Sequence, residues 1–117
     1  MKESAKELLP LTEAFYYILV VLHTGDAHGY AMMQDVEQLS AGRVRIGAGT
    51  LYTALSVLQK KGLIDYSPLT DGADSRRKLY TVTATGRTVL QAEMERLEEL
   101  LENGRKALGT AKGGESA

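Results

Sequence analysis

The fold turns on RIGAGTLYTALSVLQKKGLI, residues 45–64. Gly47 and Gly49, following Gly42, lead straight into an apolar, helix-like pattern that ends at Lys61-Gly62. Such a lead-in either cradles a nucleotide or sets a helix against something else. A phosphate loop needs G-x-x-x-x-G-K-[ST], in which Lys neutralises the terminal phosphates and the hydroxyl holds magnesium. Gly42 and Gly47 have that spacing, but Ala48 and Gly49 stand in the last two places, and the segment before them reads as helix instead of strand. The dinucleotide pattern G-x-G-x-x-G fails as well, because Tyr52 occupies the third glycine's place and no β-α-β unit surrounds it.

The geometric alternative fits. On a 100° helical wheel Leu51, Ala54, Leu55 and Leu58 share one side, which defines a buried stripe. Thr53, Ser56 and Lys60 point the opposite way, with Tyr52 and Gln59 on a flank and Gly49 facing outward. Small hydroxyls, a Tyr and a Lys suit a groove lined by phosphates and base edges. Gly49, having no side chain, lets a helix N-terminus approach a phosphate closely. Thr50 is expected to cap this helix, and Gly62 to close it in the left-handed conformation.

Working outward, Thr12 is a plausible N-cap for a first helix over Thr12–His23, and its apolar residues cover nearly the whole circumference. Something must cover both sides. TGDAHG (24–29) reads as a turn, and Met32, Met33, Val36 and Leu39 place a second helix at about Tyr30–Leu39. Two helices joined by a short Gly-containing connection form a helix-turn-helix pattern. LIDYS (63–67) and KLYTVT (78–83) alternate apolar and polar residues around a polar tip, which predicts a hairpin. Arg76, Arg77 and Lys78 are consecutive, so strand alternation cannot send all three inward. Taken alone they are a solvated edge; beside a polar helix face they form a wing that clamps a phosphate backbone. The last element starts near Thr85. Its Leu90, Met94, Leu97 and Leu101 are spaced four, three and four apart, a heptad seam that Asn103-Gly104 weakens or ends, although Leu108 keeps the register.

The fold class is therefore mainly α with a small β-hairpin: a winged helix-turn-helix plus a long C-terminal dimerisation helix. The expected divisions are an N-terminal segment (1–9), the winged helix-turn-helix (10–84), the terminal helix (85–108) and a disordered tail (109–117). At 117 residues, 44% of them hydrophobic and 25% charged, the chain has material for one globular domain.

Charge sharpens this picture. The net charge is −1, yet residues 42–87 hold eight cations against three anions and the remainder six against twelve. A basic middle between acidic ends leaves room for a surface that meets polyanions. The absence of Cys excludes disulfides, thiolate zinc sites and cysteine nucleophiles. No Ser, His and acid set carries a supporting motif, so no enzyme is expected, and no cofactor. His23, Asp26 and His28 lie within six residues, but without a further ligand cluster they read as loop and packing residues, not a metal site. The longest apolar run, AFYYILVVL (14–22), is far short of the roughly 20 residues that span a bilayer. With no cleavable leader evident, a cytoplasmic location is expected, with no membrane partner.

HGYAMMQDVEQLS (28–40), GTLYTALSVLQKKGLI (49–64) and RRKLYTVTATGR (76–87) together resemble the PadR-type transcriptional regulators, over roughly residues 10–108. The single helix after the wing is similar to the compact branch of that family. The resemblance implies a homodimeric repressor whose terminal helices pair and whose recognition helices bind an inverted-repeat operator. It makes Thr50 and Tyr52 candidate contacts to double-stranded DNA and Arg76 and Arg77 wing contacts, with Tyr80 packing the strand. Leu79 stands where the family often has an aromatic, and the chain lacks the Trp of an aromatic-stacking drug site between subunits.

The expected DNA-binding set is thus Gly49, Thr50, Tyr52, Thr53, Ser56, Lys60, Arg76, Arg77 and Lys78. The all-round apolar first helix and the seam suggest an interface between two copies, with Phe15, Ile18, Leu22, Leu90, Met94, Leu97 and Leu101 as its expected residues. A small-molecule effector in the dimer cleft is a further expectation. The competing reading is a winged-helix module that binds another protein and never touches DNA.

Overall fold

Helix α1, Glu13–Thr24, lies at the centre of the molecule and touches all the other helices and the sheet. The computed structural model describes residues 5–69 and 78–110. Thr12 caps α1 as its position predicts, its hydroxyl accepting from the Phe15 N–H at 3.0 Å. Ile18, Leu19, Val21 and Leu22 are buried, while Phe15, Tyr16, Tyr17 and Val20 are half-buried. The all-round apolarity of α1 is thus largely consumed by its own chain. Ile18 and Leu22, expected at a subunit interface, are buried in the single-chain core, and so is Leu90.

A two-residue strand β1, Ala27–His28, follows α1 inside the segment that reads as a turn. Helix α2 is Gly29–Leu39 and α3 is Ala48–Lys60. Between them Ala41 and Gly42 adopt positive φ (56° and 81°), and the Gly42 N–H reaches the Glu37 carbonyl at 2.8 Å. Buried Ser40 fastens the same turn, its hydroxyl accepting from the Val44 N–H at 2.9 Å.

Gly62 closes α3 at φ 78°, with its N–H on the Gln59 carbonyl and the Leu63 N–H on Leu58, a left-handed cap as expected. Strand β2, Ile64–Tyr66, and strand β3, Leu79–Val82, pair antiparallel, with Tyr66 opposite Tyr80 and Ile64 opposite Val82. β1 adds to the other edge of β3, Ala27 opposite Tyr80, so the hairpin becomes a three-stranded sheet in the order β1-β3-β2. Leu51, Leu55, Leu58, Leu63, Ile64, Met32, Val36 and Val89 complete the core around α1. Each such side chain contributes roughly 1.5–3 kcal/mol by leaving water.

Helix α4, Ala84–Leu108, runs unbroken through Asn103-Gly104 and ends at Gly109 in the left-handed conformation. Its start is tied to the sheet. The Thr83 hydroxyl donates to the Gly62 carbonyl at 2.7 Å and accepts from the Gly86 N–H at 3.0 Å, while the Thr83 N–H bonds the Leu63 carbonyl. Gly86 is required here, because a Cβ would overlap the Leu63 carbonyl oxygen.

One turn past Leu90 the core closes on a charge. Glu93 is 2% exposed; it accepts a two-pronged pair of hydrogen bonds from Arg96 (2.6 and 2.9 Å) and one from the Leu11 N–H at 3.1 Å. The Arg96 bonds, helped by the Leu11 N–H, hold its carboxyl below the ordinary range against the opposing effect of burial. Glu93 thereby clasps the N-terminal segment, with its short 3-10 turn Ala5–Leu8, onto α4.

Candidate nucleic-acid interface

α3 presents two unlike faces. Leu51, Ala54, Leu55 and Leu58 are buried, and Gly49, Thr50, Thr53, Ser56 and Lys60 are exposed. The wheel derived from the sequence is therefore the arrangement in the fold. The stripe anchors the helix on α1 and α2, and no described element crosses in front of the polar face.

Thr50 does not cap α3. The helix begins two residues earlier, at Ala48, and Gly47 takes the cap position in an extended conformation (φ −74°, ψ 165°), its carbonyl accepting from the Leu51 N–H at 2.9 Å. Buried Ile46 anchors the chain just ahead and so fixes where the first turn starts. The Thr50 hydroxyl is thereby free of capping and lies in the first turn, after Ala48 and Gly49. No side chain caps this end. N–H groups at an uncapped helix start attract anions.

Tyr52 is 42% exposed, and it is a packing residue as well as a surface one. Its ring lies on Gly29: a Cβ there would collide with the Tyr52 hydroxyl and come within 2.8 Å of Cζ. The His-Gly-Tyr at 28–30 and the Gly-Thr-Leu-Tyr at 49–52 are thus two sides of one contact, which helical spacing does not connect. The distant pairing of two motifs, each with its own glycine, was the only signal. Gln59, on the same flank, donates weakly to Asp65 at 3.4 Å.

At the base of the wing, Tyr66 and Tyr80 pack with ring centroids 5.3 Å apart, tilted by 48°. Burial, then the neighbouring Tyr66 and Tyr52 hydroxyls, push the Tyr80 phenol up to about 12. It stays protonated at any physiological pH. Tyr80 is buried beneath the wing, the place the resemblance implies for it. Lys78 is half-buried, with its ammonium 4.2 Å from the centre of the Tyr66 ring. Arg76 and Arg77 lie outside the described residues. His28 approaches the Lys78 carbonyl through Nδ1 at 3.1 Å, joining β1 to the wing.

Of the expected interface residues, Met94 is exposed, Leu97 is 40% and Leu101 55% exposed, and Phe15 is half-buried. Leu100 and Leu108, not among the expected set, add to the same bare helix. Among the described residues no three His, Asp or Glu side chains gather to hold a metal ion, and no helix is long and apolar enough to cross a membrane.

A helix-turn-helix whose second helix bears a bare polar face, followed by an antiparallel wing, defines a winged-helix protein of the transcriptional-regulator class. The chain belongs to the PadR-like family of transcriptional regulators, whose family model matches residues 18–92. A 37.1 kDa protein of transposon TN4556 from Streptomyces fradiae is 34% identical over 88 residues, 75% of this chain but only 24% of that relative. Protein X of Lysinibacillus sphaericus is 29% identical over 73% of this chain and 78% of its own.

Among solved structures, RosR of H. salinarum superposes with a TM-score of 0.61 at 29% identity, over 82% of this chain and 79% of the other. A transcriptional regulator from Clostridium thermocellum, 24% identical, shares the fold at a TM-score of 0.68 over 83% of this chain and 97% of the other.

Proposed function

We propose that the protein is a homodimeric repressor that binds an inverted-repeat operator through α3 and the wing and is released by a small-molecule effector. The observation that carries this reading is the exposed face of Thr50, Thr53, Ser56 and Lys60, held outward by the fully buried leucines behind it. Hydroxyls, a cation and an uncapped helix start are the groups that hydrogen-bond phosphates and base edges. Gly49 supports a close backbone approach, and Tyr52 contacts from the flank while it holds α2 against α3. Arg76, Arg77 and Lys78 supply the wing's contacts.

The bare residues Met94, Leu97 and Leu101 of α4 support pairing of two copies about a two-fold axis. Half-sites one DNA turn apart, roughly 34 Å, match that symmetry. A hollow of about 330 Å³ lined by Tyr16, Tyr17, Arg96 and Leu97 opens between α1 and α4 beside the seam, and supports an effector site there.

The test is a mobility-shift titration on the duplex upstream of the protein's own gene, at two salt concentrations, against an unrelated duplex. Thr53→Ala is expected to weaken the operator preferentially, and Arg76→Ala with Arg77→Ala to weaken every duplex and flatten the salt dependence. Unaltered binding in both variants rejects the assignment of contacts. The net charge of −1 favours a second reading, a winged-helix module that binds another protein. That reading gains if the wild-type chain shifts neither duplex at low salt.

A further inference from the structure

We infer that Tyr66 is a positioning residue that holds Lys78 in place for a phosphate contact at the base of the wing, an inference that rests on the DNA-binding reading above.

Tyr66 belongs to β2 and sits directly across the ladder from Tyr80. Lys78 precedes Tyr80 by two residues, so strand alternation puts it on the same face, diagonal to Tyr66. The tilted stack on buried Tyr80 fixes one side of the Tyr66 ring, and the Lys78 ammonium lies over it at 4.2 Å. With a relative exposure of 39%, Tyr66 remains within reach of a large ligand.

A lysine side chain is long and rotates about many bonds, and ordering it costs binding free energy that a preplaced one has already spent. An aromatic face attracts the ammonium without using its N–H donors in an ion pair. Among the described residues no carboxylate lies within ion-pair distance of Lys78. No described carboxylate therefore competes with an oxyanion for its hydrogens. Lys acts as a point charge and recognises phosphate in preference to a base edge. The contact it offers is independent of sequence, and Tyr66 acts through it.

The experiment measures binding of the full chain to the upstream duplex and to an unrelated duplex over a salt series. Wild type is compared with Lys78→Ala, Tyr66→Leu, Tyr66→Phe, Tyr66→Trp and the double variant Lys78→Ala with Tyr66→Leu. Lys78→Ala lowers the slope of log affinity against log salt by about one. Tyr66→Leu weakens both duplexes alike, by about threefold at low salt, the size expected of an exposed cation–π contact. It adds nothing in the Lys78→Ala background. Tyr66→Phe and Tyr66→Trp keep an aromatic face and retain wild-type affinity, which also separates positioning from misfolding.

The inference is overturned if Tyr66→Leu binds like wild type, if its loss persists undiminished without Lys78, or if Tyr66→Phe loses as much as Tyr66→Leu. A wild-type chain that binds neither duplex in a salt-dependent way removes the DNA-binding reading first, and this inference with it.

Discussion

At the scale of single residues, the contact between Gly29 and Tyr52 sets how α2 meets α3. Because a Cβ at position 29 would meet the ring within 2.8 Å, either the tyrosine must swing out or the helices must part. Overpacking of this kind costs about 1–3 kcal/mol. Gly29→Ala is accordingly expected to lower the midpoint of denaturant unfolding, and Tyr52→Ala to restore most of that loss in the double variant. Additive effects in the cycle would show that the two residues do not press on one another. Tyr52 is thus legible in the sequence as a flank residue of α3, whereas its packing partner is not, since helical spacing relates residues a few positions apart and says nothing of one 23 residues away. Thr50 shows the opposite error. A hydroxyl next to a glycine is a sound capping signal, but Gly47 and buried Ile46 start the helix two residues sooner, and local propensity yields to that anchoring.

Among the elements, α4 joins three parts of the chain: the wing root through Thr83 and Gly86, α1 through Val89 and Leu90, and the N-terminal segment through Glu93. The helix and its heptad spacing are readable in the sequence. Glu93 is not, because among so many glutamates nothing in its neighbourhood marks the one that faces inward, and only the Leu11 N–H and Arg96 reveal it. β1 escapes for another reason: two residues are too few to show alternation. Removing the carboxylate by Glu93→Ala leaves Arg96 and the Leu11 N–H unpaired. Since Arg96 keeps contact with water, the expected cost falls below that of breaking a fully buried pair. The Glu93 carboxyl titrates below its ordinary 4.5 when folded, so its contribution is complete above that value and is lost as pH falls through the lowered one. Unfolding curves of wild type and Glu93→Ala should therefore differ most near neutral pH and converge in acid. A difference that does not vary with pH would assign the residue a packing role alone.

Taken whole, the molecule is not closed upon itself. Its radius of gyration is 16.2 Å, against roughly 13 Å for a compact chain of this length, and its longest dimension is 58 Å. Along the outer half of α4, Leu97, Leu100, Leu101 and Leu108 are all exposed. Sedimentation at micromolar concentration is expected to give twice the mass of the chain, and Leu97→Glu together with Leu101→Glu to give a single copy while leaving the unfolding of the core cooperative. A wild-type protein that sediments as one copy would refute the paired arrangement. The seam is legible in the sequence, but the division between core and surface is not: Leu90 and Met94 look alike on a heptad, yet the first is buried and the second exposed. At 25 residues α4 extends about 37 Å, and its first turn rests, without an intervening side chain at Gly86, on the Leu63 backbone where α3 gives way to β2. Such an arrangement is a lever with its fulcrum at the wing. Load applied at its free end bears first on the backbone that joins α3 to β2, with no side chain at Gly86 between them.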